Sequence, residues 1–249
     1  NLMNNAPIFT DWFHADKILT YGYHGKKLLN RLNYDSDRII VTGNPRNDNI
    51  YKINKNDVHN KITNFFHIDS NKKIILLAQS LWHDDDEIWI AKLVNFCEKN
   101  GLELIIKIHP RYRLRANEYS ETKIKKIKKL SNKDSLKYSY DYDFSLLASC
   151  SETVITDFSY AGIEAILQKK PVILVNFMNN QKFDVVRECL NKSKMTDEAN
   201  NYEELELMLN KVLKNDFLPE EIDLENEIGE FDFKNDGNAS KRIVNYLIK

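Results

Sequence analysis

Four polar clusters in this chain have residue types and spacings that can do chemistry, and each follows a short apolar run. The first is Thr42-Gly43-Asn44-Pro45-Arg46-Asn47-Asp48. Pro45 biases Asn44 to extended backbone, so a turn falls there, and Arg46 and Asp48 are spaced for a local ion pair. The second is Gln79-Ser80-Leu81-Trp82-His83, followed by Asp84, Asp85 and Asp86. Acids suit a helix N-terminus, where they face the positive end of the dipole. A hard-cation site needs ligands converging from several segments, so capping is the expectation and metal the lesser alternative. The third is Lys107-Ile108-His109-Pro110-Arg111. A His ending a buried strand and fixed by a Pro points into a crevice, where it can donate to a phosphate; a structural His fits the composition equally well. Lys107 and Arg111 supply positive charge, though strand alternation can turn Lys107 away. The fourth runs from Thr156-Asp157-Phe158-Ser159-Tyr160 through Ala161-Gly162-Ile163-Glu164-Ala165. Here a strand gives way to a helix whose free N–H groups make an anion site. Ser159 can serve as its N-cap, and Glu164, one turn on, reaches a ribose hydroxyl if a nucleotide lies over the turn.

The elements that must hold these clusters alternate. Strands are expected at 17–21, 38–42, 73–78, 104–108, 153–156 and 171–176. Helices are expected at 25–32, 47–66 (weakly, being Asn-rich), 87–100, 119–130, 160–168, 202–214 and 239–248. The acidic stretch 216–234 has no assignment. Continuous apolar strands between helices mean an α/β fold, a Rossmann-like parallel sheet with helices on both faces and its core within 72–176. Ligands of such sheets bind beyond the carboxyl ends of the strands, where all four clusters fall. In Lys123–Lys129, Ile124, Ile127 and Leu130 share one side and the lysines fill the rest. That reads as a solvated face on a packed helix, or alternatively as a patch for anionic lipid headgroups.

Composition narrows the functional classes. Thirty-six basic against 37 acidic residues leave a net charge of -1, a poor basis for nucleic-acid binding. Cys97, Cys150 and Cys189 form no CxxC pair and read as reduced thiols of a cytoplasmic protein. No apolar run is long enough for a membrane span, and residues 1–7 do not resemble a signal peptide. The chain opens on Asn1 with no initiator Met and reads as a fragment of a longer protein. Walker A, GxGxxG, GxSxG and HExxH patterns are absent, so neither a cofactor nor a metal is expected.

Taken in order, TGNPRND, LWHDD, IIKIHPR and VITDFSYAGIEA followed by PVILVN resemble the C-terminal nucleotide-binding half of GT-B-type transferases of bacterial surface polysaccharides. The set is most similar to the CDP-glycerol glycerophosphotransferase family of teichoic-acid-type polymerases, through its G-x-P-R-N-D, HP and ITDYSS-type segments. The tail Asp236–Arg242 is similar to that family's closing helix. Two positions depart: His83 replaces the Arg of a PTWR-type segment, and Tyr160 replaces the second Ser of an SS pair. The stretch AGIEAILQKKPVI is closer to UDP-GlcNAc 2-epimerase-like and UDP-sugar-transferring relatives, and HP and Ser-rich motifs recur in transferases of CMP-linked sugars.

The resemblance implies residues 1–45 as the remnant of an acceptor domain and 46–249 as a donor-binding domain. It implies a CDP-glycerol-like or CMP-sugar donor, a polysaccharide or lipid-linked acceptor, and a cytoplasmic enzyme, peripheral at the membrane if the lysine patch meets lipid. His109 is then the catalytic residue. Asn44, Arg46, Ser80, His109, Arg111, Thr156, Asp157, Ser159, Gly162 and Glu164 hold the nucleotide and its phosphates. A UDP-GlcNAc 2-epimerase-like enzyme or UDP-sugar glycosyltransferase, and a non-catalytic Rossmann-like binding module, are the alternatives.

Overall fold

The computed structural model describes residues 15–79, 82–110, 112, 117–157, 159–177, 190–191, 193–218 and 223–248. In chain order the elements are β1 (Ile18–Thr20), α1 (Tyr23–Arg31), a short 3-10 helix (Ser36–Arg38), β2 (Ile39–Val41), a second 3-10 helix (Pro45–Lys52), α2 (Lys55–Phe66), β3 (Ile74–Gln79), α3 (Asp86–Lys99), β4 (Glu103–Ile108) and α4 (Asn117–Ser131). Then come β5 (Lys137–Ser139), α5 (Phe144–Cys150), β6 (Ser151–Thr156), α6 (Tyr160–Leu167), β7 (Val172–Val175), β8 (Thr196–Ala199), α7 (Tyr202–Leu213), α8 (Leu224–Phe231) and α9 (Ala239–Leu247). They form two compact units, residues 15–52 with 223–248 and residues 53–218.

The larger unit is a six-stranded sheet in the order β5-β4-β3-β6-β7-β8, with every pairing parallel. Parallel neighbours need crossovers, and the helices supply them. Strand alternation divides the apolar side chains between two faces. Ile75, Leu77, Ile106, Ile108, Ile155 and Ile173 pack in one cluster with residues of α3, α4 and α7. Ile74, Leu76, Ile105, Val154, Val172 and Leu174 are as deeply buried on the opposite face, where α5 lies against β3 and α6 against β6 and β7. This is the expected parallel α/β sheet with helices on both faces. Its core reaches beyond residue 176, through Ala199, Leu205, Met208, Leu209 and Val212.

In the smaller unit β1 and β2 pair in parallel, Ile18 opposite Ile39. The helix expected over 47–66 is two pieces. Asn54 interrupts it, because its side-chain oxygen accepts from the amides of Asn56 and Asp57 and so caps a new helix, α2. The unassigned acidic stretch contains α8. Asp223 accepts from Asn226 N–H at its start, and Glu225 and Glu227 sit in the first turn.

Candidate functional site

The strand order reverses at β3. From β3 the chain moves outward through β4 to β5, while β6 lies on the other side and leads to β7 and β8. Crevices of open α/β sheets form at such a switch point, beyond the carboxyl ends. Thr156, the last residue of β6, is buried there, and its hydroxyl donates to the carbonyl of Ala78 at 3.1 Å. The His109 amide donates to the carbonyl of Gln79 at 3.0 Å. β3 is thereby tied on both sides at the edge where a ligand would sit. His109 lies exposed beyond β4, two strand spacings or roughly 10 Å from the end of β6.

Beyond Thr156 the chain turns through Asp157 into α6. The amide of Ser159 donates to the carbonyl of Asp157 at 2.7 Å, and Ser159 Oγ accepts from Ala161 N–H at 3.1 Å. Ser159 is thus the N-cap of α6 and leaves the helix start aimed over the same edge. Gly162 packs tightly, since a Cβ there would stand 3.0 Å from the Leu190 side chain. Glu164 is buried one turn into the helix.

Gln79 at the end of β3 and His83 beyond it are held by a buried polar network. Asp86 Oδ2 accepts from Gln79 Nε2 at 3.0 Å and from His83 N–H at 2.7 Å, and Oδ1 accepts from the Trp89 indole at 2.9 Å. Burial pushes the Asp86 carboxyl up, against the lowering effect of those N–H groups. The neighbouring Glu87 is buried and accepts from Lys123 at 2.5 Å and Lys126 at 3.0 Å. Burial opposes its charge, but the two lysines overcome that and hold the carboxyl down at about 2. The acids expected to cap a helix therefore do more than face a dipole. Among the described residues, no cluster of His, Cys, Asp and Glu is arranged to hold a metal ion.

The Lys-rich helix departs from its expected pattern. Ile124 and Ile127 are buried, but Leu130 is 53% exposed and Lys123 only 5%. The buried side is rotated toward Lys123, because Glu87 supplies the countercharge there. Lys107 is also buried. Its ammonium donates to the carbonyls of Ile108 and Tyr140 at 3.0 and 2.7 Å, and burial lowers its pKa. Lys107 is therefore spent on loop carbonyls.

His109, Thr156, Asp157, Ser159, Gly162 and Glu164 share one edge of the larger unit. Ser80 and Arg111 lie outside the described residues. Asn44 and Arg46 belong to the smaller unit. There the turn at Gly43, with φ at +88°, is clasped by the chain's far end. Asp232 accepts from Asn44 N–H at 2.7 Å and from Asn47 Nδ2 at 2.8 Å. Arg242 donates to the carbonyl of Thr42 at 2.7 Å and grips Asp236 with two bonds. Asp48 accepts from the amides of Ala239 and Ser240 at 2.8 and 2.9 Å and so caps α9, while Arg46 is exposed. Sequence reasoning did not single out Tyr112 or Asp232, named Trp82 only as part of its cluster, and placed Lys123 on a solvated or lipid-facing surface. Asp232 fell in the unassigned stretch, and the indole of Trp82, buried beside a strand end and needing an acceptor, was the signal available for that residue.

A cavity of about 260 Å³ opens at the opposite edge of the sheet, lined by Ser151, Lys170, Pro171 and Phe217 among others. It lies at the amino ends of β6 and β7, away from the residues above.

Solved structures share this fold. The wall teichoic acid polymerase TagF superposes with a TM-score of 0.63 at 19% identity, over 94% of this chain and 57% of that one. A TagF variant soaked with CDPG gives 0.61 at 18%, over 94% and 56%. UDP-GlcNAc 2-epimerase from Neisseria meningitidis, bound to UDP-GlcNAc, gives 0.63 at 19%, over 94% and 61%. The chain thus spans less than two thirds of the length of these structures. No curated protein sequence matches it. Residues 14–249 match the sequence model of one family, and the chain accordingly belongs to the CDP-glycerol:poly(glycerophosphate) glycerophosphotransferases.

Proposed function

We propose that this chain is the donor-binding part of a transferase that builds a cell-wall polymer from a CDP-glycerol-like donor. The observation that carries the reading is the placement of His109 and the α6 N-terminus on either side of the β3 switch point. The nucleotide would lie across that edge, with Glu164 on the ribose and the phosphates between His109 and the Thr156–Ser159 turn. Those residues of the larger unit form the donor site.

The chemistry is a displacement at phosphorus. An acceptor hydroxyl oxygen bonds to the glycerol-bearing phosphorus while the bond to the bridging oxygen breaks. The departing CMP phosphate takes the electron pair, and the hydroxyl proton passes to a base. His109 and the helix N–H groups stabilise the charge that grows on the leaving phosphate, which is where preorganised donors act most strongly. The acceptor is a growing polymer or its lipid-linked start. Lys125, Lys126 and Lys129 are exposed on α4 and would meet the anionic face of the membrane there. No helix among the described residues is long and apolar enough to cross one.

Calorimetric titration with CDP, CMP and UDP, beside a His109→Ala variant, tests the reading. The expected result is preference for a cytidine nucleotide and roughly tenfold weaker binding in the variant. Equal binding by a folded variant would remove His109 from the site. Preference for UDP would favour the epimerase-like alternative, which the likeness to the Neisseria enzyme supports. Flotation with phosphatidylglycerol vesicles tests the lysines, and unchanged binding after their replacement by Glu would exclude that contact.

A further inference from the structure

The Lys-rich helix α4 reaches the donor edge from behind. Lys123, buried on α4, donates to the carbonyl of His83 at 2.8 Å and to Glu87 at 2.5 Å. Trp82, beside it, donates its indole N–H to Ser120 of α4 at 2.9 Å and its backbone N–H to the Tyr112 hydroxyl at 3.0 Å. Tyr112 in turn donates its amide to the carbonyl of His109 at 3.0 Å, closing the His-Pro turn. On the N-terminal side of the same residue, His109 N–H is held by the carbonyl of Gln79, whose side chain donates to Asp86. The described residues after β3 (Trp82, His83) and after β4 (His109, Tyr112) are therefore joined by hydrogen bonds to one another and to α4. The anchors are Asp86, which gathers three donors, and Lys123, which pins the His83 carbonyl.

We infer that Lys123 and Asp86 are positioning residues for His109. They fix the backbone on both sides of His109 through Trp82, His83, Gln79 and Tyr112, and touch no ligand themselves. The inference rests on His109 serving as the phosphate ligand. Neutral, apolar interior packing at α4 would have satisfied the core; a buried ammonium aimed at a loop carbonyl specifies one loop conformation instead.

The test uses the full chain labelled with ¹⁵N-histidine, and among the signals of its six histidines those of His109 are assigned with His109→Ala. The double variant Lys123→Met with Glu87→Gln removes both charges, so no carboxylate is orphaned in the interior. Asp86→Asn keeps the shape but offers one acceptor oxygen to three donors. Both are expected to shift or broaden the His109 ring signals while those of His59 and His67 stay in place, and to weaken CDP binding by roughly tenfold. Lys123→Arg is expected to restore both. Unchanged His109 signals and CDP affinity in the folded variants would overturn the inference. If wild type and His109→Ala bind CDP alike, the donor-site reading fails, and the ring signals still decide whether the network positions His109.

Discussion

Glu87 shows how much a single carboxylate can carry. Its pKa is held at about 2, against an ordinary glutamate value of 4.5. A depressed folded-state value means that the unfolded chain takes up the proton first. The contribution to stability is therefore complete above 4.5 and is lost as pH falls from there toward 2. Urea unfolding at pH 6 and pH 3 should show this. Glu87→Gln should lose less stability between the two than wild type, by about 1 kcal/mol after allowing for solvent at the Lys126 end. Parallel losses would show that the pair contributes nothing specific. At this scale the sequence was readable in part. That His109 stands just beyond the end of β4 could be read because a His-Pro pair closes an apolar strand, and the N-cap Ser159 because a hydroxyl precedes a run of small helical residues. Lys123 could not. Helical spacing of Ile124 and Ile127 gives the direction of the buried face to within a residue or so, and only the position of Glu87 on α3 decides which lysine is drawn in.

Elements were legible where they were long and apolar. The central strands β3, β4, β6 and β7 declare themselves by short runs of Ile, Leu and Val. β8, with the sequence TDEA, has no strand signal of its own and exists because β7 offers it an edge. α5 is only seven residues long and depends on Asp143, whose side chain accepts from Leu146 N–H. In the smaller unit α1 and α8 meet at Gly22. Its backbone is extended, so another residue would adopt it without strain, but a Cβ there would run into the Glu230 carbonyl and the Phe231 backbone. Backbone cannot retreat as a side chain tip can. Gly22→Ala should therefore cost about 1–3 kcal/mol. Hydrogen exchange should show the loss of protection in 15–52 and 223–248, and full protection there would mean that the close approach is relieved at little cost.

At the scale of the whole molecule the chain has two kinds of order. The larger unit is built from one continuous segment, and its sheet is ordinary α/β architecture that the sequence pattern announced. The smaller unit is built from both ends. Its boundaries at 52 and 223 differ from the division at residue 45 that the resemblance implied, because Asp48 caps α9 and Asp232 holds Asn44 and Asn47. Partners nearly two hundred residues apart leave no local pattern to read.

That arrangement sets a timetable for biosynthesis. Lys27 pairs with Glu230 across 203 residues, an interval of roughly 10–40 s on a translating ribosome. During that time the strands β1 and β2 have emerged without α8, α9, Asp232 or Arg242, while the continuous segment behind them is free to collapse as it leaves the exit tunnel. Residues 15–52 must wait for these late partners before their unit can close. A chain stopped after residue 218 should give a protease-resistant 53–218 and a freely digested 15–52; equal resistance of both would show that the early stretch folds without its late partners.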